Sequence, residues 1–268
     1  MTTLLKGLPV RKEDEARIKE LNLSSNDVCF LLVVSNDFED ALAYCHQIEK
    51  FLNKVQLSFK EKIYDGTNGE EIIDMMKKPN MSVILARPLP IDFMNRARKE
   101  LNYESDPDCL GVKSAGMIFL GEGLLPATAQ SVIRILDFYG IDVLSKKVLV
   151  IGRSQSVGLP IALGLLKKNA EVTIVHSKIS KEEIERKVAD SDIIVLASGK
   201  KGLVNKDAFK KGQIVIDCGY HAEDNSGDLG FVPEDDFFKG YTPVPGGVGP
   251  LTISTLIVNG LKKKGLMK

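Results

Sequence analysis

The sequence lacks the features that mark metal-binding, disulfide-rich and membrane proteins. Its four cysteines and three histidines are scattered without CxxC spacing, which argues against a zinc site and a disulfide framework. No apolar run reaches the length of a membrane span and the N-terminal segment has no signal-peptide core, so we expect a cytoplasmic protein. Basic and acidic residues both number 36, and this balance argues against a nucleic-acid or membrane-surface partner.

The first half of the chain alternates between strand and helix patterns. We expect buried strands at 28–35, 58–65 and 82–90. We expect helices at 12–20, 38–54 and 69–79. This alternation predicts a parallel sheet covered by helices. The segment 114–123 has no pattern that we can interpret.

A second α/β unit is expected after a bridging helix at 126–140, which Gly140 ends. Its expected strands are 145–152, 170–177, 192–199 and 213–219, and its expected helices are 157–168 and 181–191. The last helix is expected at 250–264. We therefore predict a two-domain α/β protein. Residues 1–125 plus 250–268 would form an N-terminal substrate domain, and residues 126–249 a Rossmann-type dinucleotide-binding domain.

A glycine-containing turn joins the strand VLVIG to the next helix. Gly152 suits the tight turn and Gly158 would allow the helix to pack closely on the sheet, as in a dinucleotide fingerprint. Ser154 replaces the middle glycine and offers a hydroxyl to a phosphate. Amide groups at the helix start would face the same phosphate. The alternative is a plain tight turn without a ligand.

The residues after the next strand favour NADP over NAD. NAD sites place an acidic residue there to bind the ribose 2′-hydroxyl, whereas this chain has His176, Ser177 and Lys178. Arg153 adds a planar phosphate-binding group in the preceding loop. The alternative is that these are solvated loop residues.

Five motifs together resemble the methylenetetrahydrofolate dehydrogenase/methenyltetrahydrofolate cyclohydrolase family. They are TPVPGGVGPLT, GRSQSVGLP, RPLP at 87–90, SDPDCLG at 105–111 and LLKGLPV at 4–10. The resemblance implies a two-domain protein with a cleft between the domains, usually assembled as a homodimer. It also implies two reactions on tetrahydrofolate one-carbon derivatives: hydride transfer from the methylene bridge to NADP, and hydrolysis of the methenyl product to formyltetrahydrofolate.

The resemblance assigns roles to individual residues. Asp108 would bind the pterin ring of the folate, which makes it both a substrate-binding and a catalytic residue. Pro245, Gly246 and Gly247 would form the wall beside the substrate. The residues implied for the cofactor are Gly152, Arg153, Ser154 and Gly158, with Ser177 near the 2′-phosphate and Tyr220 and Thr242 near the nicotinamide.

The chain departs from the family at its catalytic residues. The family's Tyr–x–x–x–Lys pair aligns with Leu42 and His46, and the family's glutamine before Pro–Leu–Pro aligns with Ala86. Helical spacing predicts that Leu42 and His46 face away from the core, toward a substrate site or water. His46 would then be a general acid or base, or merely a residue tolerated where the lysine is not needed.

These losses predict a dehydrogenase with weak or absent cyclohydrolase activity. Hydride transfer depends mainly on holding the donor carbon against the nicotinamide, whereas ring opening needs an activated water. Two alternatives remain open. The chain could act as an NADP-dependent oxidoreductase on another small molecule, or it could bind nucleotide or folate without catalysis.

Overall fold

The computed structural model describes residues 1–268 and contains strands and helices in alternation. The strands are β1 (Thr3–Leu4), β2 (Cys29–Ser35), β3 (Phe59–Tyr64), β4 (Met81–Leu85), β5 (Lys147–Ile151), β6 (Glu171–Val175), β7 (Ile193–Leu196), β8 (Ile214–Asp217) and β9 (Gly240–Tyr241). The helices are α1 (Leu8–Glu20), α2 (Glu39–Lys54), α3 (Gly69–Met76), α4 (Ile91–Glu100), α5 (Val112–Phe119), α6 (Ala127–Phe138), α7 (Gly158–Lys167), α8 (Lys181–Ala189) and α9 (Val248–Lys263). None of these helices is both long enough and apolar enough to cross a membrane.

The chain divides into two compact units. The six-stranded unit comprises Met1–Arg11 and Thr128–Thr252, and its sheet has the strand order β1-β9-β8-β7-β5-β6. The three-stranded unit comprises Lys12–Ala127 and Ile253–Lys268, with the order β3-β2-β4. Every strand pair in both sheets is parallel. The predicted α/β class is confirmed.

The central strand of the three-stranded unit is buried along its whole length because helices cover both faces of the sheet. Successive side chains of a strand point to opposite faces. Phe30, Leu32 and Val34 therefore join a core cluster with residues of α2 and α9. Leu31 and Val33 join a second cluster with residues of α3 and α4. A run of consecutive apolar residues is what such a strand requires.

The first eleven residues belong to a different unit from the one predicted. β1 pairs with β9 at the edge of the larger sheet, with Thr3 opposite Gly240 and Leu4 opposite Tyr241. The prediction placed residues 1–125 together because β1 is two residues long and has no sequence pattern of its own. The sequence analysis also did not predict β9 and α4. The segment 114–123, which has no interpretable pattern, contains most of helix α5.

Candidate functional site

The turn between β5 and α7 brings two glycines into contact with backbone. Gly152 has a φ of +132°, and a Cβ there would lie 2.6 Å from the carbonyl carbon of Ala197. A Cβ on Gly158 would lie 2.6 Å from the carbonyl carbon of Gly152. Neither position has room for a side chain. The close approach of helix to strand that the sequence predicts for these glycines is thus present.

Ser154 shapes the start of α7 through its side chain. Its Oγ accepts hydrogen bonds from the backbone N–H groups of Val157, at 3.2 Å, and Gly158, at 3.4 Å. Because the Ser154 oxygen accepts both of these bonds, its hydroxyl proton can be donated to a phosphate oxygen. Arg153 beside it is exposed. The turn therefore offers donors to an anion at the carboxyl end of β5.

No carboxylate follows β6 directly. His176 is half-buried, and its Nδ1 accepts a hydrogen bond of 3.3 Å from the backbone N–H of Lys178. Ser177 and Lys178 are exposed. The three residues that succeed the strand thus present hydroxyl, imidazole and ammonium groups, which suit a phosphate better than the ribose 2′-hydroxyl alone.

The side chain of Thr242 is hydrogen-bonded to the backbone of the neighbouring strand β8. It is buried, and its Oγ1 accepts a 2.7 Å hydrogen bond from the backbone N–H of Asp217. The same hydroxyl donates to the carbonyl oxygen of Asp217 at 3.4 Å. Its polar atom is therefore committed to backbone, and a direct contact of that hydroxyl with nicotinamide has no geometric support. Tyr220 is exposed and donates its hydroxyl to Asn225.

Two buried carboxylates that the sequence reasoning missed hold the loop after β8. Asp217 accepts hydrogen bonds from the N–H groups of Gly219, Asp228 and Leu229. Burial raises the pKa of Asp217, and these N–H donors oppose that rise. The acidic residue at the end of an apolar strand, in the run VIDCG, is the sequence signal that could have identified it.

Asp228 continues this network toward the end of β7. Its Oδ2 accepts hydrogen bonds from Ser198 and from the N–H of Gly199, and its Oδ1 lies 3.1 Å from Nε2 of His221. Asp228 lies in the segment 221–231. These bonds fix it to the carboxyl ends of β7 and β8, the edge of the sheet where α/β proteins bind ligands.

The segment GYTPVPGGVGPLTI forms a packed loop that leads into α9. The Val244–Pro245 peptide is cis and Gly246 has a φ of +115°. A Cβ on Gly247 would lie 2.6 Å from the Cβ of Thr242. The N–H of Gly7 donates to the carbonyl oxygen of Gly246 at 3.0 Å. The motif near the start of the chain and the proline–glycine motif near its end thus form one structural element.

In the three-stranded unit, Asp108 is the centre of a polar cluster. Its Oδ1 accepts a 3.0 Å hydrogen bond from the N–H of Ala127, and its Oδ2 lies 3.4 Å from Nη2 of Arg87. Burial raises the pKa of Asp108, and Arg87 opposes the rise. Neighbouring Asp106 fixes the loop by accepting hydrogen bonds from the N–H groups of Leu110 and Gly111.

Helix α2 turns Tyr44, rather than His46, toward this cluster. Burial raises the pKa of the Tyr44 hydroxyl, Asp108 raises it further and Arg87 opposes the rise. Positions 44 and 46 lie on nearly opposite sides of a helix, about 200° apart. His46 is exposed and its Nδ1 lies 3.4 Å from Glu49. The structure therefore does not bring His46 to Asp108, and the predicted acid–base role of His46 has no geometric support.

Leu42 was expected to face away from the core, and this expectation is wrong. Its side chain is half-buried and packs against the cluster formed by β2, α2 and α9. Ala41, Cys45 and Ile48 mark the centre of the buried arc of α2. The arc is wide enough to include Leu42 at one margin and Tyr44 at the other, because long side chains lean onto the core from its edges.

Comparison with known proteins decides the family. The family model described as "Tetrahydrofolate dehydrogenase/cyclohydrolase, NAD(P)-binding domain" matches residues 126–266. The "Bifunctional protein FolD" of Dictyoglomus thermophilum is 34% identical over 98% of this chain and 97% of its own length. The chain belongs to the tetrahydrofolate dehydrogenase/cyclohydrolase family. Both halves of the chain are covered by this relative.

Solved structures of family members have the same fold. The FolD methylenetetrahydrofolate dehydrogenase/cyclohydrolase of Campylobacter jejuni superposes with a TM-score of 0.89 at 27% identity, covering 99% of each chain. The Trypanosoma brucei methylenetetrahydrofolate dehydrogenase-cyclohydrolase, solved with NADP cofactor and an inhibitor, gives a TM-score of 0.89 at 28% identity, covering 98% of this chain and 97% of its own. The predicted family resemblance is confirmed.

Two positions at which the sequence departs from the family are Ala86 and His46. Ala86 is fully buried and has no side-chain donor where the family has glutamine. His46 lies near Glu49 and Glu61. Burial and the neighbouring Glu49 raise the pKa of Glu61, and His46 opposes this rise. Asp108 and the cofactor turn are the positions at which the sequence resemblance predicts the family's residue types.

Proposed function

We propose that this protein is an NADP-dependent methylenetetrahydrofolate dehydrogenase with weak or absent methenyltetrahydrofolate cyclohydrolase activity. The observation that supports both parts is an asymmetry between the two units. The turn of Gly152, Ser154 and Gly158 is intact and sterically specified. In the three-stranded unit, Asp108 is present but no lysine or glutamine stands where the family has them.

The residues of the six-stranded unit fit a bound NADP. Ser154 and the exposed Arg153 would bind the pyrophosphate at the start of α7, where Gly152 and Gly158 give it access to backbone. Ser177 and Lys178 would face the 2′-phosphate. The cofactor supplies the hydride acceptor: the methylene carbon loses a hydride and becomes the methenyl cation, while NADP⁺ becomes NADPH.

The substrate contacts belong to the three-stranded unit. Asp108 would accept hydrogen bonds from the amino and ring N–H groups of the pterin, and Tyr44 would lie beside it. In the six-stranded unit, Pro245, Gly246 and Gly247 would present bare backbone and a proline ring to a ligand. Burial raises the pKa of the Tyr44 hydroxyl, so Tyr44 would not give up its proton to water near neutral pH.

The decisive experiment measures both reactions on the purified protein. With methylenetetrahydrofolate and NADP⁺ we expect NADPH absorbance to increase at 340 nm. With methenyltetrahydrofolate, the loss of methenyl absorbance should proceed near the rate in buffer alone. NADP binding without turnover would instead favour a ligand-binding protein. Stabilisation by NADP but by no folate would favour an oxidoreductase acting on another small molecule.

A substitution tests the cause of the asymmetry. The double variant Leu42→Tyr/His46→Lys introduces the family's tyrosine and lysine at the aligned positions. It should still not restore methenyl hydrolysis, because a side chain at position 46 points to Glu49 rather than to Asp108. The matched variant Tyr44→Phe should weaken folate binding while leaving NADP affinity unchanged. Efficient methenyl hydrolysis by the unmodified protein would refute the proposal.

We infer further that the protein acts as a homodimer in the cytoplasm, with tetrahydrofolate one-carbon derivatives as its small-molecule partners and without nucleic-acid or membrane partners. Its four cysteines are free thiols, which suits a reducing compartment. The balanced charge of the chain supports the absence of polyanionic partners. Light scattering after gel filtration should give twice the monomer mass, and a monomer would contradict the assembly.

A further inference from the structure

The polar cluster around Asp108 contains a cation that the family motif does not account for. Arg87 occupies the variable position of the motif that the family writes Gln–x–Pro–Leu–Pro. It follows the buried strand β4 and Ala86 directly, and its Nη2 lies 3.4 Å from Oδ2 of Asp108. The backbone position of Arg87 thus follows from that of β4, which ends two residues before it.

The two partners of this pair differ in exposure. The side chain of Arg87 is 43% exposed and that of Asp108 is 20% exposed. Each carboxylate oxygen has two acceptor positions, and Ala127 and Arg87 use one on each oxygen. The guanidinium has five N–H donors, and one nitrogen, Nη2, meets Asp108. Acceptor capacity on Asp108 and donor capacity on Arg87 thus remain side by side at an accessible place.

A pterin ring has the complementary edge. Its amino group and adjacent ring N–H are donors, and the carbonyl oxygen next to them is an acceptor. We propose that Arg87 is a substrate-binding residue of this enzyme, which donates to the pterin carbonyl while Asp108 accepts from the neighbouring N–H groups. This rests on the proposed function, because the ligand is the folate of that reaction.

The chemistry of arginine also limits what this cation can do. A guanidinium stays protonated at every working pH, so Arg87 can hold and orient a ring but cannot accept a proton from water. A lysine can lose its proton when its pKa is lowered by burial. An arginine beside Asp108 therefore suits hydride transfer, which needs the ring held in position.

The charges that face Asp108 come from several elements. Arg87 follows β4, Tyr44 comes from α2, Asp106 from the same loop, and Lys263 from α9. Arg87 favours the ionised form of Asp108 more than Lys263 does, and Asp106 opposes it. Loss of Arg87 should raise the pKa of Asp108 further. The acidic limb of substrate binding should then move to higher pH, since the protonated carboxyl accepts fewer hydrogen bonds.

The test uses Arg87→Leu and Arg87→Lys, with Arg96→Leu as the matched control. Arg96 lies in the same unit and makes a bidentate pair with exposed Glu70, away from Asp108. For Arg87→Leu we expect the KM for methylenetetrahydrofolate to rise tenfold to about a hundredfold, the size of one hydrogen bond to a charged group. Its kcat and its affinity for NADP should change less than about threefold.

Three further results are expected. Arg87→Lys should recover part of the lost affinity, the acidic limb of kcat/KM should shift upward in Arg87→Leu, and Arg96→Leu should match the unmodified protein. The losses in Arg87→Leu and Asp108→Asn should be non-additive in the double variant, because the two side chains act on one ring edge. Binding of tetrahydrofolate by calorimetry gives the same comparison without turnover, and NADP affinity serves as the check of folding.

Two outcomes distinguish a failure of the role of Arg87 from a failure of the proposed function. An unchanged KM and an unchanged acidic limb in Arg87→Leu, with an active unmodified protein, would overturn the role of Arg87 and leave the dehydrogenase function standing. Absence of both turnover and folate binding in the unmodified protein would overturn the proposed function, and this inference with it.

Discussion

Replacement of Gly158 by alanine tests whether the β5–α7 turn is built for close contact. A Cβ at this position would lie 2.6 Å from the carbonyl carbon of Gly152 and 3.0 Å from the N of Arg153. Ordinary van der Waals contacts to a Cβ lie at 3.4–4 Å, so helix and strand must separate by roughly 1 Å. Both neighbours are backbone and cannot rotate away.

Overpacking of this kind costs about 1–3 kcal/mol, and the better helix propensity of alanine offsets at most about 1 kcal/mol of it. We therefore expect the free energy of unfolding to fall by about 1–2 kcal/mol. NADP affinity should fall by at least about tenfold, because displacement of the turn moves Arg153 and Ser154 away from the phosphate.

Urea denaturation followed by circular dichroism and calorimetric titration with NADP measure the two effects. Gly249→Ala is the matched control, since a Cβ on Gly249 meets no atom within 4 Å. This variant should keep its NADP affinity and change in stability by less than about 1 kcal/mol. If Gly158→Ala keeps both the stability and the affinity of the unmodified protein, the steric argument for this turn is wrong.

Three other predictions concern side chains. Ser177→Asp should lower NADP affinity and improve NAD affinity, because a carboxylate repels the 2′-phosphate and accepts from the ribose 2′-hydroxyl; comparison of kcat/KM for both cofactors checks this, and an unchanged ratio would contradict it. Ser154→Ala and Ser180→Ala each remove the acceptor of a helix-capping hydrogen bond and should each cost about 1 kcal/mol of stability, but only Ser154→Ala should weaken NADP binding in titrations; equal effects on binding would refute the special role of Ser154. Burial raises the pKa of Cys45 and Cys109 to about 12, so these thiols should resist iodoacetamide at pH 8 in the folded protein and react after unfolding; rapid labelling of either in the native state, measured by mass spectrometry, would contradict their burial.

The regular parts of the fold are readable from the sequence because burial dictates them. The strand at 29–35 is apolar at every position because both faces of its sheet are covered, and the spacing of α2 follows from one buried side. β1 and β9 contain two residues each, and only their pairing with each other and with β8 makes them strands. No local pattern could identify them.

The candidate site is readable where a glycine or a carboxylate is irreplaceable. Gly152 and Gly158 were identified because backbone contact limits the residue type, whereas Asp108 was identified only through the family resemblance. Tyr44 and Arg87 were missed because their importance depends on which loop lies opposite them. His46 is exposed, as helical spacing predicts, and the contact with Glu49 favours the alternative in which it is merely tolerated.

The pairing of β1 with β9 also affects how the chain is made. Thr2 donates its hydroxyl proton to the carbonyl oxygen of Phe238, which is 236 positions further along the chain. At synthesis rates of about 5–20 residues per second, the ribosome needs on the order of ten to fifty seconds to make the residues between them. Strand β1 therefore remains without its partner strand until β9 has been made. This edge of the larger sheet thus pairs the strand that is made first, β1, with the strand that is made last, β9.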